Sequence, residues 1–173
     1  GLQNGLGKGR GIRTEGRGGM SIFGLTEFSI KTRFQEYPEP ISEAPEAMPQ
    51  AHYDAIAKKG FMWPVGSQTI PGAAHDKSDH DFLVLTKDRI PEVFSELGYD
   101  LLSGGRHYEP SEGKFNSWIK DGVNFVATDE EYFAKKFLAA NAVAQRLSLI
   151  KKADRIALFQ AVLYGHIQAE ADQ

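Results

Sequence analysis

No cysteine occurs among the 173 residues. Disulfides, thiolate nucleophiles and cysteine-ligated metals are therefore excluded, and a reducing compartment such as the cytoplasm suits the composition. Histidine is sparse too, with five residues scattered at no zinc-like spacing. No apolar run approaches the ~20 residues that cross a bilayer. The basic start lacks the apolar stretch of a secretory signal. The expectation is a soluble protein with no membrane partner. Residues 1–19 contain almost no apolar side chain and are rich in glycine. Burial there cannot offset the entropy of ordering, which predicts a disordered extension; a basic RNA-binding arm is the other reading of the same residues. Lys8, Arg10, Arg13 and Arg17 against Glu15 give this segment a charge of +3, which leaves −6 on the remainder of a chain whose total is −3. So acidic a body is a poor general binder of nucleic acid, because phosphate contacts need Lys and Arg. It suits a basic partner surface instead.

What is present has globular character. Hydrophobic residues at 41% and charged residues at 25% match an ordinary folded domain, and the length suits one core. Residues 20–49 open with a short mixed segment and then become YPEPISEAPEAMPQ. Prolines at 38, 40, 45 and 49 make this an extended lead-in. The domain proper is placed at residues 50–168.

Within it, residues 50–59 read as a helix stopped by Gly60, and 61–65 as a strand weakened by Pro64. DFLVLT at 81–86 is the clearest strand. Residues 91–97 read as a short helix closed by Gly98. Runs at 114–120 and 123–128, joined by Asp121-Gly122, read as a hairpin. Thr128 and Glu131 are spaced as a capping box, and Phe133, Phe137, Ala140, Ala144 and Leu147 follow at helical spacing. A last helix is expected over 153–166, with Ile156, Phe159, Val162 and Leu163 on one face. These elements predict an α/β (α+β) fold: a mixed sheet with flanking helices, two of them C-terminal.

The candidate chemistry lies in VGSQTIPGAAHDKSDHDFLVLT, residues 65–86. Gly66 lets the backbone approach a ligand, and free N–H groups at such a turn hold phosphate oxygens, with the Ser67 hydroxyl as a further donor. Asp79 and Asp81 stand two residues apart at the start of a strand. The strand period of two directs both carboxylates to one side, where they repel unless a cation intervenes. Mg²⁺ accepts such a pair, its remaining ligands being water and substrate phosphate. An acidic turn entering a strand has the same residues, so the pair alone decides nothing.

The combination resembles the nucleotidyltransferase superfamily that includes DNA polymerase beta. Its motif is a hydrophobic residue, Gly, Gly or Ser, some ten residues, then Asp-x-Asp or Asp-x-Glu before a hydrophobic strand. Val65-Gly66-Ser67, eleven residues, Asp79-His80-Asp81 and Phe82-Leu83-Val84 follow it. A second resemblance, to small nucleotidyltransferase-like proteins of bacteriophages, rests on Val123-Asn124 to Thr128-Asp129, on Lys152-Ala153-Asp154-Arg155 and on the segment from Phe159 to Gly165. Together the resemblances cover residues 61–165.

They imply a nucleotidyltransferase-like fold and transfer of NMP from an NTP, with Mg²⁺ as cofactor. Asp79 and Asp81 would be catalytic and metal-binding, and Gly66, Ser67 and Asn124 nucleotide-binding. They also imply action in the cytoplasm of an infected bacterium, with RNA, a protein or a small molecule as acceptor. One departure stands out. Active members carry a third carboxylate on a later strand, where this chain has Asn124, an amide that brings no charge and accepts a proton poorly. The alternative implied is a catalytically weak or inactive relative that binds a nucleotide or a host protein. His75, His80 and His107 read as solvated loop residues or as groups near a substrate phosphate, the stretch 104–107 with Arg106 as an anion clamp or a plain loop, and Trp63 and Trp118 as packing or as stacking on a base.

Overall fold

The structure, a computed structural model, describes residues 38–88, 91–102 and 114–165. The expectations for residues 1–19, for the stretch 104–107 and for the chain beyond Gly165 lie outside the described residues. Among the described residues, four helices and five strands follow in the order α1 (Gln50–Ala57), β1 (Gly60–Val65), a 3-10 turn (Ser67–Thr69), β2 (His80–Thr86), α2 (Glu92–Glu96), β3 (Asp100–Leu102), β4 (Asn116–Lys120), β5 (Val123–Thr128), α3 (Glu131–Arg146) and α4 (Lys152–Tyr164). The sheet order is β1-β2-β5-β4-β3. β2 and β5 run parallel, and every other neighbouring pair is antiparallel. The sheet is therefore mixed, as expected, and two helices close the described chain.

The central strands are apolar on both faces because both faces are covered. Leu83 and Leu85 of β2 and Val126 of β5 meet Phe133, Phe137, Phe159 and Leu163 of α3 and α4. The alternate residues Phe82, Val84 and Phe125 meet Ile56 of α1 and Phe94 of α2. Phe137 and Phe159 pack edge to face with centroids 4.8 Å apart, which locks α4 onto α3. Trp63 and Trp118 are buried, so both belong to packing. Pro64 is tolerated because β1 is an edge strand, where a missing ladder donor costs little. The β4–β5 turn has Asp121 at φ 49° and Gly122 at φ 77°. Both left-handed values are those of a type I′ hairpin turn.

Four expectations need correction. His80, read as a solvated loop residue, is the first residue of β2, half-buried and paired with Val123, and its N–H donates to Gly122 O at 2.8 Å. The capping box does not form: α3 begins at Glu131 with Glu130 at its cap, and Thr128 Oγ1 instead accepts from Glu130 N–H at 3.0 Å and donates to Lys114 O at 2.7 Å. Thr128 is still a buried strand residue, and its hydroxyl ties the strand end to the chain entering β4. Leu147 does not continue the apolar stripe; it caps α3 and is exposed. β3 has no counterpart in the expected element order. Its three residues are all exposed and carry no alternation to read.

Candidate functional site

The Gly66-Ser67 turn leaves β1 at the edge where β2 begins. Gly66 adopts φ 80° and ψ −160°, a region essentially reserved for glycine. Thr69 N–H donates to Gly66 O and Ile70 N–H to Ser67 O. Those bonds close the turn, and the N–H groups of Ser67 and Gln68 take no part in them, as at any helix start. Helix α3 holds the turn from behind. Asn141, buried in the apolar face of α3, accepts from Gly66 N–H at 2.9 Å and donates to Thr69 Oγ1 at 3.2 Å, while Gln145 donates to Thr69 O at 3.1 Å. Gln68 donates to Ser78 O at 3.3 Å, which ties the turn to the loop that enters β2.

Asp81 is the second residue of β2. Its partner on one side is Val65 and on the other Asn124, in the parallel pairing with β5. Asn124 Nδ2 donates to Asp81 Oδ1 at 3.2 Å, whereas Asn124 Oδ1 is buried with no hydrogen-bond partner. Burial pushes the Asp81 carboxyl up to about 6. The Asn124 hydrogen bond opposes this, Asp79 adds to it, and the cations Lys152 and Arg155 oppose it again. Asp79 lies one residue before β2 and is exposed. Both carboxylates border one cleft of about 440 Å³, together with Gly66, Ser67, Lys152 and Arg155. A smaller cavity of about 50 Å³ lies against Asp81, Asn124 and Arg155.

Thus Gly66, Ser67, Asp79 and Asp81 share one cleft, and Asn124 joins them through its bond to Asp81. His75 also lines the cleft; its Nδ1 accepts from Lys77 N–H at 3.2 Å. Sequence reasoning missed three residues. Asn141 had a signal, a polar side chain inside the apolar stripe of α3. Lys152 and Arg155 stand three apart at the start of α4, a spacing that puts two cations on one helix face.

A divalent cation is the group this donor set would suit. Among the described residues no group of three or more His, Cys, Asp or Glu side chains converges for a metal. Two carboxylates with an unpartnered amide oxygen beside them nevertheless match the sparse protein ligation of Mg²⁺. Half a turn of the Asn124 amide would present Oδ1 where Asp81 binds. Set against protein-family models, curated proteins and solved structures, the chain matches none. Among the described residues no helix is long and apolar enough to cross a membrane.

Proposed function

We propose that this protein is a Mg²⁺-dependent nucleotidyltransferase that moves NMP from an NTP to an acceptor hydroxyl. The observation that carries the reading is the convergence of a glycine-only turn and a carboxylate pair on one cleft. The volume of that cleft lies in the ordinary range for small ligands. Ser67, through its N–H and hydroxyl, donates to phosphate oxygens, and Gly66 keeps the backbone close enough for this. Asp79 and Asp81 would hold the metal, and Asn124 orients Asp81. Mg²⁺ held there would supply charge neutralisation at the phosphates and a lowered pKa for an attacking hydroxyl. The acceptor oxygen bonds to the α-phosphorus, the bond to the pyrophosphate oxygen breaks, and the hydroxyl proton passes to solvent. The acceptor is an RNA 3′ end, a protein hydroxyl or a small molecule.

A second reading rests on Asn124. The resemblance places a third carboxylate on a later strand, and Asn124, paired with Asp81 across β2 and β5, is an amide. A nucleotide-binding protein that acts on a host protein without turnover fits that substitution. Calorimetric titration of each NTP with Mg²⁺, followed by a turnover assay with α-labelled NTP, tests both. Binding with label transfer supports the enzyme. Binding without transfer to any RNA, protein or small-molecule acceptor supports the second reading. No Mg²⁺-dependent binding overturns both.

A further inference from the structure

The cleft has a second wall that the carboxylates do not explain. Lys152 and Arg155 border it from the first turn of α4, and both act on the charge of Asp81 from there. Their charges are not spent on ion pairs among the described residues. Arg155 Nη1 donates to Leu149 O at 3.0 Å and to Ile150 O at 2.7 Å. These two carbonyls fix the guanidinium plane without neutralising it, and a guanidinium has five N–H donors to distribute. Lys152 is exposed and carries a flexible point charge. A fixed fork and an adjustable ammonium thus face two carboxylates across an open space. In a body with a net charge of −6, two cations on one cleft with no ion pair among the described residues suit an anion of several charges.

We infer that Lys152 and Arg155 are the polyphosphate-holding residues of this cleft, so that the ligand is gripped by its phosphate tail rather than by its base. The inference rests on the nucleotide reading above and deepens it. The carboxylate wall takes the metal side of a metal–polyphosphate complex. The α4 wall takes the phosphate oxygens that the metal leaves free, with Arg155 preorganised and Lys152 adjusting to tail length. Inorganic tripolyphosphate carries every group this grip uses, and a nucleoside monophosphate carries few of them.

The test is calorimetric titration of the full chain with inorganic tripolyphosphate, and separately with ATP, in the presence of Mg²⁺. Wild type, Lys152→Glu, Lys152→Arg and Asp81→Asn are compared, with thermal unfolding as the control for folding. Lys152 is exposed, so its variants fold. Wild type is expected to bind tripolyphosphate, Lys152→Glu to lose about tenfold or more, as for one charge-assisted contact, and Lys152→Arg to retain most of the affinity. If tripolyphosphate does not bind while ATP does, or if Lys152→Glu binds it as wild type does, the inference is overturned. In either case loss of ATP binding in Asp81→Asn would leave the nucleotide reading standing. The reverse pattern is equally informative. Tripolyphosphate binding that depends on Lys152 but not on Mg²⁺ or Asp81 keeps the anion wall and removes the nucleotidyltransferase reading.

Discussion

Gly66 and Asp81 interlock: a Cβ on Gly66 would lie 2.5 Å from Asp81 Oδ2. The absence of a side chain at one residue therefore defines where the carboxylate of the other rests. Alanine at 66 meets two obstacles, the positive φ and the carboxylate. Gly66→Ala is expected to destabilise by ~1–3 kcal/mol from backbone strain alone and to abolish Mg²⁺-dependent ATP binding. Urea unfolding and calorimetry check both, and a variant equal to wild type in each would show that the turn is not so constrained.

The raised Asp81 carboxyl makes a prediction about pH in metal-free solution. Its folded value of about 6 lies above the ordinary 3.8. A group raised in this way favours folding while protonated, and that contribution is lost as pH rises from about 4 through 6. Asp81→Asn removes the titration. The variant should match wild type near pH 4, apart from a constant offset, and gain on it by roughly 2–3 kcal/mol above pH 7. A difference that stays flat between pH 4 and 8 would mean that the carboxylate is ionised at little cost.

Asn124→Asp separates the two functional readings. A third carboxylate beside Asp81 adds like-charge repulsion without metal. The variant should therefore lose stability in a chelator and regain it with Mg²⁺. In a catalytically weak ancestor-like site it should raise turnover; in an enzyme adapted to the amide it should lower it. Thermal unfolding with and without Mg²⁺, together with label transfer, reads out both effects.

Phe159 joins α4 to α3 through Phe137 and shares a buried cluster with Leu83, Leu85 and Val126 of the sheet. Phe159→Ala is expected to cost ~3–5 kcal/mol, as for a buried aromatic. A cost below about 1 kcal/mol would contradict its burial.

Much of this was legible in the sequence. The continuous apolar run of β2, the Asp121-Gly122 turn and the facing Phe137 and Phe159 follow from periodicity and turn chemistry, which act locally. Gly66, Ser67, Asp79 and Asp81 were legible as a set through the motif that they resemble, and they line one cleft because the turn after β1 and the start of β2 lie at one end of the sheet. Asn141, Lys152 and Arg155 were not legible as site residues. Asn141 reaches the Gly66 turn, and Lys152 and Arg155 reach the cleft, only after α3 and α4 pack on the sheet; a polar residue in an apolar stripe or two cations on one helix face do not say what they will face. Thr128 misled because the same hydroxyl serves a cap or a strand end equally well. Tertiary pairing with Lys114 O decided it.

The prolines of the lead-in have a consequence for solubility. Ile41 N–H donates to Met62 O at 2.8 Å, and Trp63 Nε1 donates to Pro38 O at 2.9 Å. The chain before α1 therefore lies against β1 and occupies the Met62 carbonyl, a group that the edge strand would otherwise present to a neighbour. Pro64 removes one further donor from the same rim. A fragment beginning at residue 50 would keep every strand and helix of the described residues yet lose this cover. Its bare rim would then be open to strand pairing between copies, so the shield against self-association sits in the part of the described chain that forms no strand of its own.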